Sequence, residues 1–272
     1  MHIAHLSELR YGDKLARSAV FPIGSVVTQN LLDVLYYKNI GYVWVEDSRK
    51  YEESLKSFRA DYNKLKGSEV YNVIESVLNK GAFIPDVLLQ LLTEDKYTLY
   101  HSINVAIVSY QIATLLHLPA QIVEDLIVAS LMHDIGKLKI PKEVLSKNGR
   151  LTDGEFEIIK WHSKLGHDIL KQYNFINKDI LRGVSEHHEK FDGTGYYKQL
   201  SGCDIHIFAR IIAVADVYDA LVSKRAYKEC LPVEKVIQIM HEDKGHFDSF
   251  ILETFLNSIE NTTESVNILR VS

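Results

Sequence analysis

The sequence predicts a mainly helical protein fronted by a small α/β module, and three observations carry that expectation. From Gly81 onward, apolar residues recur at intervals of three and four, the spacing of one helix face. Before residue 50, short runs rich in β-branched and aromatic residues flank a single helical stretch. Of the 272 residues, 46% are hydrophobic, enough to fill one large core and a small appendage without disulfide staples.

The elements follow in order. "HIAHL", "ARSAVF" and "YVWVED" read as strands, and "TQNLLDVLYYKNIG" between the last two reads as a helix stopped at Gly41. Residues 1–50 are therefore expected to form the small N-terminal α/β regulatory module. Residues 51–80 are charged and helix-prone, which predicts a helical connector with a solvated face. Residues 81–272 should form an all-helical bundle. One or two helices are expected over "IPDVLLQLLTEDKYTLYHSINVAIVSYQIATLLHL" and another over "AQIVEDLIVASLMHDIGKL". A third should cover "TDGEFEIIKWHSKLGHDILKQY", opened by a Thr152–Glu155 capping box. Further helices are expected in "DILRGVSEHHEKF", "FARIIAVADVYDALVSKRAY", "PVEKVIQIMHED" and "SFILETFLNSIE".

Composition narrows the function. The two cysteines, Cys203 and Cys230, lack C-x-x-C spacing, so neither a zinc ribbon nor a disulfide framework is expected. No basic stretch followed by an apolar core opens the chain, and no apolar run approaches the ~20 residues of a membrane span. The expectation is a cytoplasmic protein. A net charge of −5 argues against a nucleic-acid polymer as ligand, because duplex binders present a basic field. A small anionic ligand held by local cations stays open.

The chemistry is concentrated in the twelve histidines. "LMHDIGKLKIP" sets His133 and Asp134 against aliphatic neighbours and follows them with Lys137, and groups of this kind are costly to bury unless paired or holding a metal. His101, His162, His187, His188 and Asp216 likewise lie in apolar or tightly turned segments. Imidazole with carboxylate suits borderline metals such as iron, manganese or zinc. The set outnumbers the four ligands of a closed structural zinc site, so two metals sharing a carboxylate would use it better. His167, about 140° around a helix from His162, should not face the same cavity. His2, His5, His117, His206, His241 and His246 have no partner at a recognisable spacing.

"HSINVA" at 101–106, "HDIGKLKIP" at 133–141, "WHSKLG" at 161–166, "HHEKFDGTGYY" at 187–197 and "ARIIAVADVYDALVSKRAY" at 209–227 resemble, in order and spacing, the HD-GYP branch of the HD-domain phosphohydrolases. That resemblance implies an all-helical HD-domain bundle that hydrolyses a cyclic dinucleotide, chiefly cyclic di-GMP, to linear pGpG and/or GMP in bacterial second-messenger signalling. It implies metal ligation by His101, His133, Asp134, His162, His187, His188 and Asp216. Tyr196 occupies the family's Tyr position, where it stacks on or hydrogen-bonds the nucleotide, and Gly195 permits close backbone approach. Arg225 and Lys228 match positions that contact phosphate or guanine. A homodimer or a signalling-protein partner is compatible with this reading.

A phosphodiester is anionic and repels hydroxide, so two divalent ions, iron or manganese, would serve its hydrolysis. Asp134 is best suited to bridge them. His101, His133 and Asp216 group around one ion and His162 and His187 around the other, with His188 left as ligand or substrate contact. Lys137, four residues after His133, should reach the attacked phosphate or the leaving oxygen. Asp219, three after Asp216, could orient a ligand. The sequence departs from the family at Tyr197, where Pro is expected, at Gln199, where Gly is usual, and at Tyr97, where some members carry a third-metal Glu. Two alternatives therefore accompany the phosphodiesterase: a catalytically weak cyclic-dinucleotide sensor or protein-interaction module, and an HD phosphohydrolase for another nucleotide.

Overall fold

A computed structural model of the chain describes residues 2–5, 9, 15–17, 27, 32, 42–45, 62–79, 88, 91, 95–147, 149–171, 176–223, 231–243 and 245–260. They fall into two compact units, one running to Leu99 and one starting at Tyr100.

In the first unit β1 (His2–His5), β2 (Leu15–Arg17) and β3 (Tyr42–Val45) form an antiparallel sheet in the order β1-β3-β2. β1 pairs with β3 from His2 opposite Val45 to His5 opposite Tyr42, whereas the β2 register shifts between Leu15 and Arg17. Of the helix expected over 28–41 only Leu32, which is helical, falls among the described residues. Helix α1 (Glu69–Asn79) starts where the Ser68 Oγ accepts the Tyr71 N–H at 3.2 Å, a side-chain cap for an otherwise unpaired donor. Its buried Val70, Ile74 and Val77 recur at helical spacing, which is why this piece of the charged stretch 51–80 folds as a helix.

Helix α2 (Lys96–Leu115) is capped by Asp95, which accepts the Thr98 N–H at 3.1 Å. Residues 101–109 are all buried, so α2 lacks a polar stripe and runs through a core. Helix α3 (Ala120–Met132) follows Pro119 and is similarly apolar. It ends sooner than its pattern suggests: His133 and Asp134 turn out of the helix, and Ile135–Lys139 wind as a 3-10 segment.

After the short α4 (Lys142–Leu145), α5 (Asp153–Lys160) and α6 (His162–Leu170) replace the single helix expected over 152–173. The Thr152–Glu155 capping box forms as expected. The break falls at Trp161, whose N–H bonds the Ile158 carbonyl three residues back. Helices α7 (Lys178–Glu186), α8 (Ile207–Val222), α9 (Val233–Glu242) and α10 (Ser249–Glu260) complete the second unit among the described residues. Helix α7 packs on α3, α6 and α8, and α6 packs on the 3-10 segment.

Gly136 makes that last contact feasible. A Cβ there would overlap the His162 carbonyl oxygen and lie 2.6 Å from the Gly166 amide nitrogen. Only a residue without a side chain lets the two backbones meet.

Candidate metal centre

The helix ends that interrupt the expected pattern all deliver histidines. His133 closes α3, His162 follows the α5 break, and His187 closes α7. Each places its Nδ1 on a carbonyl three residues earlier: Ser130 at 2.8 Å, Ile159 at 2.7 Å and Val184 at 2.7 Å. A carbonyl can only accept, so each Nδ1 carries a hydrogen and each ring turns its Nε2 inward.

His101 is held differently. Its Nδ1 meets Asp219 at 2.7 Å and its Nε2 meets Asp216 at 2.9 Å, with Asp134 Oδ2 at 3.8 Å. Burial alone would lower its pKa, but Asp216 and Asp219 raise it to about 9. A cation between Nε2 and Asp216 would replace that ring proton.

Asp134 stands between the two groups. Its Oδ2 lies 3.4 Å from His133 Nε2, and its Oδ1 lies 3.3 Å from His162 Nε2. Burial would raise its carboxyl, yet Lys137, together with His133 and His162, holds it well below the usual carboxylate range. Asp216 is likewise pulled down, chiefly by its bond to His101, against the opposing effect of burial.

His162 and His187 bring their Nε2 atoms within 3.2 Å of each other. With both Nδ1 atoms protonated, this juxtaposes two lone pairs. Burial lowers the pKa of both rings, most strongly for His187, so the proton that could bridge them is disfavoured. His188, pushed down to about 3 by burial and then by His162, lies against His187 at a ring separation of 4.2 Å.

The arrangement fits divalent cations. His162, His187 and His188 form one group, and His101, His133 and Asp134 another, each with donor atoms within 4.8 Å of one another. Buried His133 Nε2 and Asp134 Oδ1 make no hydrogen bond. A buried acceptor left without a hydrogen bond costs about 1–3 kcal/mol, comparable to what burying one core side chain returns. A cation answers the paired lone pairs and the orphaned atoms together.

Lys137 reaches the centre by a route other than the expected helix face. It lies in the 3-10 segment and its Nζ bonds Asp134 Oδ2 at 2.5 Å. Tyr196 stacks near His188, with ring centroids 4.8 Å apart, and its amide donates to the His188 carbonyl at 3.2 Å. Gly195 is buried there, and a Cβ would overlap the Lys190 amide nitrogen. His167 points elsewhere, to Asp168 at 3.2 Å. Arg225 and Lys228 lie outside the described residues.

Two carboxylates beside the His pair escaped the sequence reading. Buried Glu189 accepts the Lys198 and Leu200 amides at 2.6 and 3.1 Å, tying down the loop that carries Tyr196. Glu186 accepts from Arg182 Nε, Lys198 Nζ and the His206 amide. The available signal was "EHHE", two acidic residues bracketing candidate ligands at the end of an amphipathic helix.

A helical bundle that gathers histidines and aspartates from helix ends and from within two helices defines a class, and the comparisons agree with it. The HD-domain model matches residues 79–251, and the chain belongs to the HD-domain family. It is similar to a cyclic di-GMP phosphodiesterase of Pseudomonas aeruginosa, 37% identical over 172 residues that cover 63% of this chain and 42% of the relative. It is also similar to a 3'3'-cGAMP-specific phosphodiesterase of Vibrio cholerae, 37% identical over 147 residues that cover 54% of this chain and 32% of the relative. The chain thus matches less than half the length of these curated relatives. The solved structure of Bd1817, an HDG"Y"P protein from Bdellovibrio bacteriovorus, shares the fold with a TM-score of 0.53 at 15% identity, over 95% of this chain and 99% of that one. The kinship expected from the ordered motifs is borne out.

Proposed function

We propose that the chain is a metal-dependent phosphodiesterase that hydrolyses a cyclic dinucleotide, cyclic di-GMP first, to linear pGpG and/or GMP. The observation that carries this reading is the position of Asp134, whose two oxygens face the two histidine groups separately.

In this reading His101, His133 and Asp216 would hold one ion, His162 and His187 would hold the other, and Asp134 would serve both. His188 lines the second ion or the substrate. When bound, divalent ions supply positive charge to the phosphate and activate water; iron or manganese suits the mixed imidazole and carboxylate donors. The residues provide the rest. Carbonyl-anchored imidazoles keep Nε2 aimed without reorganisation, and the Lys137 ammonium offers charge to the attacked phosphate or the leaving oxygen. Tyr196 gives a nucleotide base an aromatic face, and Gly195 keeps that face close to His188. Arg225 and Lys228 extend recognition through guanine or phosphate contacts.

Residues 1–50 serve as a regulatory module and 51–80 as its connector, and the protein acts in the cytoplasm, alone or as a homodimer or with a signalling partner. Among the described residues no helix is long and apolar enough to cross a membrane, which accords with that placement.

The test is direct. Protein purified anaerobically with iron or manganese should carry two ions per chain and convert cyclic di-GMP to pGpG or GMP by chromatography, and Asp134→Ala should lose both metal and turnover. Two tightly held ions with no cleavage of cyclic di-GMP or cGAMP would overturn the enzymatic reading. A sensor is the second reading, favoured by Gln199, which sits at φ +57° where the family's usual Gly would be unstrained. Metal-dependent binding without hydrolysis would support it.

A further inference from the structure

An aromatic and cationic rim adjoins the centre where α5 turns into α6. Large apolar side chains rarely stand exposed together without a ligand or partner, yet Phe156, Trp161 and Tyr197 are 48%, 54% and 40% exposed. Lysines lie over them: Lys160 Nζ is 5.5 Å from the Phe156 ring centroid, Lys164 Nζ 6.0 Å from that of Trp161, and Lys198 Nζ 5.9 Å from that of Tyr197.

Lys160 is the member that reaches the site. Its Nζ also lies 5.7 Å from the Tyr196 ring centroid, and Tyr196 is the ring against His188. The ammonium is thus set between two aromatic rings, one of which forms the wall of the candidate centre. Its carboxylate partner is Glu157 at 2.5 Å, whose side chain is 65% exposed. Such a surface pair contributes little and is readily exchanged for another anion.

A cyclic dinucleotide carries two phosphodiesters, and hydrolysis engages one at a time. The other remains a full negative charge close by in the same small ring, and its affinity depends on a cation placed outside the metals. We propose that Lys160 is a specificity-determining residue that binds this second, uncleaved phosphodiester, with Phe156 and Tyr196 fixing the ammonium in place. The inference rests on the phosphodiesterase reading above and adds to it the preference for a substrate with two phosphates over one.

Two substrates separate the possibilities: cyclic di-GMP, with two phosphodiesters, and bis(p-nitrophenyl) phosphate, with one. In the manganese-loaded protein, Lys160→Gln should raise KM for cyclic di-GMP roughly tenfold, the effect of losing one charged hydrogen bond, with kcat little changed. It should leave bound metal and hydrolysis of bis(p-nitrophenyl) phosphate unaltered, and Lys160→Arg should restore most of the affinity. An unchanged KM overturns the inference while the enzymatic reading stands. Equal losses on both substrates also overturn it, because Lys160 would then serve the fold or the centre as a whole. If wild type binds cyclic di-GMP without cleaving it, the enzymatic reading fails, and the same comparison on Kd decides the role of Lys160. If wild type neither binds nor cleaves it, both fall.

Discussion

Asp219 Oδ2 lies 2.7 Å from His101 Nδ1, and both side chains are buried. The carboxylate also accepts from Ser223 Oγ at 2.8 Å through its other oxygen, so it is fixed from two sides. This supports the orienting role weighed for Asp219 from its spacing to Asp216. An acidic partner at Nδ1 fixes the ring and makes Nε2 a better donor to a metal. Asp219→Asn keeps the volume and removes the charge. Manganese affinity should fall about 10–100-fold with little change in Tm; an unaltered titration would reduce Asp219 to a packing residue.

In the proposed phosphodiesterase Lys137 supplies charge near the reacting phosphate, and its removal tests that role. Lys137→Ala should retain both metals yet lose ~10² or more in turnover, as expected for removing one charge-stabilising donor. Because its Nζ bonds Asp134, metal content must be measured alongside the rate. Loss of metal in proportion to the rate would make Lys137 a support for Asp134 instead.

Gly136→Ala should act through the backbone of a candidate ligand and not by replacing a ligating side chain. The added methyl would overlap the His162 carbonyl, so either the 3-10 segment or α6 must shift, at about 1–3 kcal/mol for overpacking. A denaturant midpoint equal to wild type would show that the two backbones separate freely.

Acid stability has an identifiable contributor in the α5 cap. Lys147 first, then the Thr152 amide and hydroxyl, hold the Glu155 carboxyl down to about 2 from its ordinary 4.5. A depressed folded pKa gives stability that is present above 4.5 and lost as pH falls toward 2. The Tm of Glu155→Gln should therefore lie below wild type at neutral pH and converge with it in acid. A constant offset across that window would assign the effect to the cap's shape and not its charge.

The candidate cluster was legible because imidazoles and carboxylates stranded in apolar sequence announce themselves by type alone, and the structure brings His101, His133, Asp134, His162, His187 and Asp216 together. Geometry was not. "EIIKWHSKLG" contains no proline and a continuous helical pattern, so nothing local predicts the break at Trp161. The break becomes intelligible in three dimensions, where it frees the Ile159 carbonyl for His162 Nδ1 and brings Gly136 against the His162 carbonyl. The same holds for Lys137: counting residues from His133 assumed one continuous helix, whereas the chain leaves α3 there. The strands expected at "HIAHL" and "YVWVED" coincide with β1 and β3, whereas of "ARSAVF" only Ala16 and Arg17 are described, and the β2 register shift depends on pairing across the sheet.

The carbonyl anchors of His133, His162 and His187 also shape how this centre withstands mutation. A single codon change can erase Asp219 and with it the anchor at His101 Nδ1, leaving the ring held through Asp216. No substitution can erase a main-chain oxygen, so replacements at Ser130, Ile159 and Val184 meet the histidines only through bulk and backbone path. Errors accumulating in the gene would therefore loosen the His101 side of the centre before the His162–His187 side, and a descendant that had lost the Asp219 contact would still keep three imidazoles aimed inward.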